Sequence, residues 1–206
     1  MQNVDDWLEA LASDSAAPGG GSAAALMVAT GAALVEMVCG LTLGNEKFRD
    51  VEPLMTHARE KARGLRATAD GLREEDSHAY DAVIAAYRLP KGTAEEKAAR
   101  GAGIQAALRV ATEVPLRSVV AGVDVLDLAA SVVESVNPNA ISDAGAGALA
   151  ARAGAEASAL NVRINLLAIK DPAYVTMQKA ALEALLARAA TTTDQVLSAA
   201  RLAIGG

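Results

Sequence analysis

The segment of this sequence best suited to chemistry is a run of three glycines directly before a long apolar stretch. The segment reads Pro18-Gly19-Gly20-Gly21-Ser22. Glycine lets the backbone approach a ligand closely, and the first N–H groups of a helix starting here would point at a hydrogen-bond acceptor. A flexible entry loop has the same composition. No Gly-Lys-Ser/Thr ending follows and no strand precedes the run, so it is neither a Walker A loop nor a dinucleotide fingerprint.

Three carboxylates are candidates for proton transfer or ligand binding. Asp14 precedes the glycine run and Asp143 begins a helix rich in small residues, although acidic residues at helix starts commonly serve as caps. Asp76 falls on the inward stripe of a long predicted helix, at helical spacing from apolar residues. A carboxylate in an apolar seam is costly unless it is paired or hydrogen-bonded. Asp76 is therefore predicted to belong either to a structural pair or to a site.

Two basic residues are candidates for binding an anion. Lys47 follows the long apolar stretch, where a lysine is usually surface charge. Arg163 lies in the otherwise apolar segment 160–169, and a guanidinium in such a place usually has a carboxylate partner. The expected partner of Arg163 is Asp76, Asp143 or the anionic tail of a ligand.

The other reactive side chains form no recognisable catalytic or metal-binding set. His57 and His78 lie far apart on one predicted helix, and no cysteine or histidine is spaced to join either of them. No metal site and no Ser-His-Asp arrangement is therefore predicted. The single cysteine, Cys39, lies in an apolar run, which predicts a buried thiol and a reducing compartment.

Composition indicates that helices position these residues. Hydrophobic residues make up 52% of the 206 residues, but aromatic residues make up only 2%. The apolar content is mostly Ala, Val and Leu, which favours close-packed helices over a sheet. The sequence predicts one all-α domain over residues 1–206, a bundle of long helices that forms oligomers. The predicted helices span residues 4–12, 23–43, 51–87, 93–135, 142–169 and 172–203.

Local signals define several helix ends. Ser22 is predicted to cap the second helix through its hydroxyl group. Thr93 and Glu96 have capping-box spacing, and the Asp171-Pro172 pair starts the last helix. Pro115 is expected to kink or interrupt the fourth helix. The second and fifth helices carry small residues on several faces, which predicts that they pack at the centre of the bundle.

Charge and hydropathy narrow the classes of partner. The formal net charge of −6 argues against nucleic acid or an anionic membrane. Residues 23–43 would nearly span a bilayer, but Glu36 would cost roughly 2.5–3.5 kcal/mol at its centre, which favours a buried helix of a soluble bundle. The first residues carry no positive charge, so a secretory signal is not expected and a cytoplasmic location is predicted.

Several short segments, taken together and in order, resemble the methenyltetrahydrofolate cyclohydrolase/formiminotetrahydrofolate cyclodeaminase family. The resemblance extends over most of the chain, from about Trp7 to Lys170. Residues 44–48 depart from the family pattern, in which a run of lysines is common, and only Lys47 keeps the basic character. The segments that carry the resemblance are 11–15, 18–25, 36–38, 41–44, 85–91, 95–100, 111–116, 137–145 and 159–166.

The resemblance implies an all-helical homodimer or larger assembly with a folate pocket near the glycine run. It implies no cofactor or metal beyond the tetrahydrofolate substrate. One reaction of the family hydrolyses 5,10-methenyltetrahydrofolate reversibly to 10-formyltetrahydrofolate, and the other closes the methenyl ring by expelling ammonia from 5-formiminotetrahydrofolate. Animal cyclodeaminases are fused to a formiminotransferase domain that these 206 residues do not include, so the cyclohydrolase is expected. The alternatives are the cyclodeaminase and a non-catalytic folate-binding or assembly module.

The resemblance also implies roles for the candidate residues. Asp14 would lead proton transfer, and Asp143 would be a second carboxylate that stabilises the substrate cation or activates water. The segment 18–22 would form a wall of the pterin pocket. Lys47 or Arg163 would bind the glutamate tail. The further residues expected to bind the substrate are Asp76, Asn139 and Asn161.

We expect Asp14→Asn to reduce turnover by about 10²–10⁴-fold, the usual contribution of general acid–base catalysis. The free energy of unfolding should change far less, because the substitution keeps the size of the side chain. Steady-state kinetics and thermal unfolding measure the two effects. Near-normal turnover in this variant would remove Asp14 from the mechanism.

Overall fold

The computed structural model describes residues 3–205, which form α-helices and contain no strand. Two short 3-10 helices, Glu46–Val51 and Pro138–Ala140, lead into the third and fifth α-helices. The predicted all-α class is therefore confirmed. The α-helices are α1 (Val4–Ala12), α2 (Gly20–Thr42), α3 (Glu52–Tyr87), α4 (Ala94–Val132), α5 (Ile141–Leu166) and α6 (Pro172–Ile204).

Helix α2 is the middle member of a layer of three helices, with α3 on one side and α5 on the other. Helix α4 packs beneath this layer against all three, and α6 packs against α4 and α5. Helix α3 is antiparallel to α2. The start of α2 lies beside the last third of α3, where Ser22 contacts Asp76, whereas Glu36 near the end of α2 contacts Arg63.

The backbones of α2 and α5 pack very close together, and these two helices are also antiparallel. A Cβ atom added at Gly31 would lie 2.7 Å from the carbonyl oxygen of Gly147. A Cβ atom added at Gly154 would lie 2.6 Å from the carbonyl oxygen of Ala24. The two backbones approach this closely because these glycines carry no side chain. The prediction that the two helices rich in small residues form the centre of the bundle is confirmed.

The core is built largely from alanine and valine, as the composition indicates. Its largest fully buried side chains are Met55, Leu72, Leu126 and Leu182. Cys39 is also fully buried, and burial raises the pKa of its thiol to about 11. The thiol therefore stays protonated at neutral pH, as expected of an inert core cysteine.

One helix start differs from its prediction. Helix α2 begins at Gly20, its N-cap is Gly19, and no side chain caps it. The prediction that Ser22 is the cap is wrong, because this residue lies inside α2 and its buried hydroxyl contacts α3 instead.

Two other predicted starts are confirmed. The Thr93 hydroxyl accepts the backbone N–H of Glu96, and the Glu96 carboxylate accepts the backbone N–H of Thr93. Asp171 caps α6 by accepting the backbone N–H groups of Ala173 and Tyr174. Both signals are local, so the sequence was sufficient to predict them.

Pro115 lies inside α4 without interrupting it. A proline lacks the N–H group that would bond to the carbonyl four residues earlier, which here belongs to Ala111. The side-chain amide of Asn165, on α5, donates to that carbonyl at 2.6 Å. The neighbouring helix thus supplies the missing hydrogen bond, which the sequence of α4 does not reveal.

Within residues 3–205, α2 is the one helix long and apolar enough to span a membrane, with a mean hydropathy of 1.9. Half of its most apolar window is buried against the rest of the bundle. Its one charged residue, Glu36, accepts hydrogen bonds from Arg63 at 3.1 Å and from Arg66 at 2.9 Å, both on α3. The position of α2 between α3 and α5 accounts for its composition, because the core helix of a soluble bundle is equally apolar.

We expect Gly31→Ala to lower the free energy of unfolding by about 1–3 kcal/mol, the usual cost of overpacking a core. Its Cβ would lie 2.7 Å from the carbonyl oxygen of Gly147 on α5, so the backbone of one helix would have to shift. Gly64→Ala on α3 is the matched control, because nothing lies within 4 Å of its added Cβ and alanine favours a helix. Urea unfolding compares the two. Equal stability of the variants would contradict the tight contact of α2 with α5.

Candidate functional site

The glycine run and Asp76 meet at the start of α2. Gly21 lies so close to α3 that an added Cβ would overlap the carboxylate of Asp76. The hydroxyl of the next residue, Ser22, lies 3.2 Å from Oδ2 of Asp76 and 3.0 Å from the carbonyl oxygen of Arg73. The glycine makes room for the carboxylate, and the serine supplies a hydrogen-bond donor to it.

The surroundings of Asp76 favour a proton-transfer group over a structural pair. Burial raises the pKa of its carboxyl group, and hydrogen bonds from Ser22 offset part of this effect. Within residues 3–205, no basic side chain contributes an opposing charge to it. A carboxyl group whose pKa is raised towards neutral pH exchanges protons more readily with a substrate. Of the two predicted alternatives, a site is therefore better supported.

A cavity of about 230 Å³ opens beside Ser22 and connects α1 to the site. Trp7, the one buried residue of α1, and Pro18 provide apolar walls. This volume is below the range of about 300–1,000 Å³ that is usual for ligand pockets. It therefore accommodates one end of a larger ligand. The polar residues that complete its lining are Ser22, Arg73, Glu74, Ser77 and His78.

The other two candidate carboxylates lie at opposite ends of α2 within one chain. Asp14 is exposed in the loop before α2, whereas Asp143 is half-buried in the first turn of α5. That turn lies beside the end of α2, where the N–H of Asn137 donates to the hydroxyl of Thr42 at 2.9 Å. Helix α2 has 23 residues and is about 35 Å long at about 1.5 Å per residue. One chain therefore does not bring Asp14 and Asp143 to the same ligand.

The remaining predicted residues are also divided between the two ends. Lys47 and Asn139 are exposed at the end that holds Asp143. Asn161, at the other end, donates its side-chain N–H to the carbonyl of Ala157 within α5 at 3.1 Å. Of the predicted residues, the glycine run and Asp76 are therefore the ones that one chain brings into contact.

The expected carboxylate partners of Arg163, Asp76 and Asp143, are wrong. Its Nη2 lies 2.8 Å from Oε1 of Glu183, a residue of α6. The pairing joins residues on two helices, so helical spacing along α5 gives no indication of it.

Sequence reasoning missed five residues of the cavity: Trp7, Arg73, Glu74, Ser77 and His78. His78, for which no metal-binding or catalytic role was predicted, is exposed and lies at the cavity wall. The adjacency of Ser77 and His78 to Asp76 is the signal that would have found them. Within residues 3–205, no group of three or more His, Cys, Asp or Glu side chains is placed to hold a metal ion.

The bundle and its half-buried carboxylate define an all-helical protein with a candidate acid–base site. The family profile described as Formiminotransferase-cyclodeaminase matches residues 3–184. The chain belongs to this family.

Individual relatives carry two different activity names. A methenyltetrahydrofolate cyclohydrolase of Methylorubrum extorquens is 46% identical over 195 residues, which cover 95% of this chain and 94% of that protein. A formimidoyltransferase-cyclodeaminase of Rattus norvegicus is 32% identical over 89% of this chain but only 34% of its own length. This chain thus spans about a third of the rat protein.

A solved structure has the same fold. The crystal structure of formiminotetrahydrofolate cyclodeaminase from Thermotoga maritima matches with a TM-score of 0.87 and 26% sequence identity. The match covers 96% of this chain and 95% of that one. The helical architecture is therefore shared along nearly the whole of both chains.

We expect Asp76→Asn to raise the free energy of unfolding near neutral pH. The pKa of Asp76 is higher in the folded state than in the unfolded state, so the folded state binds more protons between the two values. The free energy of unfolding of the wild-type protein therefore falls as the pH rises through this window, and the variant lacks this contribution. Urea unfolding at several pH values measures it. An advantage of the variant that persists below the unfolded-state pKa would contradict this origin.

Proposed function

We propose that this protein is a 5,10-methenyltetrahydrofolate cyclohydrolase that interconverts the 5,10-methenyl and 10-formyl forms of tetrahydrofolate. The observation that carries the proposal is its 46% identity to the Methylorubrum extorquens cyclohydrolase over nearly the full length of both chains. The half-buried carboxylate of Asp76 beside a cavity agrees with a reaction that consists of proton transfers around one carbon.

The chemistry of the substrate demands little beyond binding and proton transfer. The methenyl carbon belongs to a cationic amidinium and is already electrophilic. Water adds to this carbon and loses a proton, which gives a neutral hydroxyl adduct. The hydroxyl group then loses its proton, N5 gains one, and the bond between the carbon and N5 breaks. The product carries a formyl group on N10, and one proton is released overall.

Asp76 is the proposed proton-transfer residue of this sequence of steps. Its ionised form accepts a proton from the attacking water, and its protonated form delivers a proton to N5. Its raised pKa makes both forms available closer to neutral pH. The Ser22 hydroxyl holds the carboxylate in place, as the 3.2 Å contact indicates. In its ionised form Asp76 also attracts the cationic amidinium, which offsets part of the cost of its burial.

The walls of the cavity suit the rest of the substrate. Trp7 and Pro18 offer apolar surfaces to the pterin ring, with the glycine backbone next to them. Of the two predicted cations for the glutamate tail, Arg163 is already paired with Glu183. Lys47 lies at the far end of α2 from the cavity, so it would meet the tail only from a second copy of the chain. Asn139 and Asn161 remain candidates for hydrogen bonds to the substrate.

The cyclodeaminase is the second candidate, because the Thermotoga maritima structure and the longer rat relative both carry that name. Both reactions involve the methenyl compound. The cyclodeaminase forms it with loss of ammonia from the 5-formimino group, whereas the cyclohydrolase forms it, in its reverse direction, with loss of water from the 10-formyl compound. The same carboxyl group would protonate the departing amine. A non-catalytic folate-binding module is the third candidate.

We further propose a cytoplasmic homodimer or larger homo-oligomer with no nucleic-acid or membrane partner and no cofactor beyond its folate substrate. The formal net charge of −6 disfavours polyanionic partners. The one cysteine is buried and unpaired, as in proteins of reducing compartments.

The first test is the loss of 5,10-methenyltetrahydrofolate absorbance in a buffer where spontaneous hydrolysis is slow. Decay that scales with protein concentration and yields 10-formyltetrahydrofolate supports the cyclohydrolase. Ammonia release from 5-formiminotetrahydrofolate, without accelerated hydrolysis, would favour the cyclodeaminase. Uptake of the methenyl compound without either reaction would favour the binding module.

We expect Gly21→Ala to reduce turnover by at least about 10²-fold, the lower range of an acid–base contribution, because its Cβ displaces the Asp76 carboxylate. Gly20→Ala is the matched control, since this exposed neighbour has nothing within 4 Å of its added Cβ. Steady-state kinetics of both variants, with circular dichroism to confirm folding, provide the comparison. Equal turnover in the two would place the chemistry away from Asp76.

A further inference from the structure

The candidate proton-transfer group, Asp76, does not line the cavity itself. Of residues 3–205, those that form the cavity walls include Ser22 and Ser77 but not Asp76. The hydroxyl oxygen of Ser22 lies 3.2 Å from Oδ2 of Asp76 and 3.2 Å from the hydroxyl oxygen of Ser77. The two hydroxyl groups thus connect the carboxyl group to the cavity, and a proton that moves between Asp76 and a ligand has them as its path.

Ser22 has one hydroxyl proton and three oxygen neighbours. Its side chain is fully buried, and its third neighbour is the carbonyl oxygen of Arg73, at 3.0 Å. A serine hydroxyl donates one hydrogen bond and accepts up to two. The carbonyl of Arg73 alone would satisfy this donor if Ser22 only held α2 against α3. The oxygens of Asp76 and Ser77 offer the same proton two other acceptors, so it can turn from one to another.

The two charge states of Asp76 require opposite directions of these hydrogen bonds. The ionised carboxylate only accepts, so Ser22 donates to Asp76 and Ser77 donates to Ser22. The protonated carboxyl group instead donates to Ser22, and Ser22 donates to Ser77. The contact between the two serines allows either direction, because each hydroxyl can be the donor. The hydroxyl proton of Ser77 then points to the cavity.

We propose that Ser22 and Ser77 form a hydroxyl relay that carries protons between Asp76 and a ligand in the cavity. The relay rests on the proposed function, because the protonation of N5 is the step that it serves. In that step Ser77 gives its proton to N5 and takes one from Ser22, which takes one from protonated Asp76. Three O–H bonds break, one N–H bond and two O–H bonds form, and Asp76 is left ionised.

The reverse movement accepts a proton from the attacking water. The water gives a proton to Ser77, Ser77 gives one to Ser22, and Ser22 gives one to the carboxylate of Asp76. The hydrolysis releases one proton overall, so Asp76 has to lose a proton before the next turnover. The same path returns this proton to water that enters the cavity when the product leaves.

The lengths of the two contacts suit a relay that becomes active when substrate binds. Both measure 3.2 Å, whereas hydrogen bonds between oxygen atoms usually measure about 2.5–3.0 Å. Hydrogen bonds of catalytic groups are often long until the substrate is bound and then shorten. A ligand that displaces water from the cavity also lowers the local dielectric constant, which strengthens the hydrogen bonds between Ser22 and its neighbours.

Charged groups near Asp76 do not control its proton. The start of α2 has no charged residue, and α1 contributes Trp7 to the cavity. Burial and the hydrogen bonds from Ser22 are the causes of the shifted pKa of Asp76. The pH dependence of the relay therefore follows the carboxyl group and its hydroxyl neighbours. The charged or titratable side chains closest in the fold are Arg73, which pairs with Asp70 and Glu74, Glu75, which pairs with Arg117 of α4, and exposed His78.

A matched pair of variants tests the hydroxyl of Ser77. Ser77→Val and Ser77→Thr introduce side chains of one size and shape that differ in the hydroxyl group, and both are β-branched, so their effects on α3 are similar. We expect Ser77→Val to reduce kcat by at least about 10²-fold, the lower range of acid–base catalysis, with little change in KM. Ser77→Thr should keep most of the wild-type kcat. Equal turnover in the two variants would overturn the relay.

A double-mutant cycle tests whether Ser77 acts through Asp76. In an Asp76→Asn protein, Ser77→Val should cause no further loss of turnover, because the relay then has no carboxyl group to serve. A serine that only binds the substrate would add its own factor to the loss. Multiplication of the two losses would overturn the relay, while the cyclohydrolase activity of the wild-type protein would still support the proposed function. Thermal unfolding confirms that each variant folds.

The pH profile of kcat/KM gives a measurement that a merely structural serine would not change. Ser22→Ala removes a donor that favours the ionised form, so the pKa of Asp76 and the acid limb of the profile should rise. Ser77→Val should move the limb in the same direction, because the Ser77 hydroxyl polarises that of Ser22. Ser77→Thr should leave the limb in place. An unmoved limb in Ser77→Val would overturn the relay.

Other outcomes separate the relay from the proposed function. If the protein releases ammonia from 5-formiminotetrahydrofolate instead, the cyclohydrolase is overturned and the same variants are compared with ammonia as the readout. A wild-type protein inactive on both substrates would also overturn the proposed function. Carbon-13 NMR titration of the Asp76 carboxyl group then decides the relay: a pKa raised by Ser77→Val supports the coupling of the hydroxyl groups, and an unchanged pKa overturns it.

Discussion

Backbone contact between α2 and α5 is the constraint on which the other helices depend. Gly31 and Gly154 bring the two backbones within reach of each other, and this contact fixes their relative position along the axis. Helices α3 and α4 pack against α2 in this arrangement, and the start of α2 lies beside Asp76 of α3.

The partial burial of Asp76 lowers the stability of the folded state and also suits its carboxyl group to proton transfer. A carboxyl group that is taken out of water favours its protonated form, and the serine hydroxyl beside it limits that effect. The same burial would strengthen its interaction with a cationic substrate. Asp76 has no ion-pair partner and lies next to a cavity. Active sites commonly contain such a group, although its burial lowers the stability of the fold.

The hydrogen bonds that were predicted correctly join neighbours along the chain, whereas polar partners that lie on a second helix were not predicted. The capping box at Thr93 and the cap at Asp171 are local hydrogen bonds, so residue type and spacing were sufficient. Ser22 has the residue type of a cap, but its hydroxyl bonds to α3. Pro115 removes a hydrogen bond that Asn165 of another helix restores. Spacing within one helix contains no information about such partners.

The sequence by itself determined the all-α class, the approximate span of each helix and the central place of the two helices rich in small residues. Helical periodicity and side-chain size are local properties, so the amino-acid sequence alone is sufficient to predict them. Which ends of the helices meet was decided by tertiary structure alone. The sequence offered Asp14 and Asp143 as catalytic candidates and Asp76 as a substrate-binding candidate. Packing placed Asp76 against the glycine run and put Asp143 a helix length away, because antiparallel helices align positions that are distant in the chain.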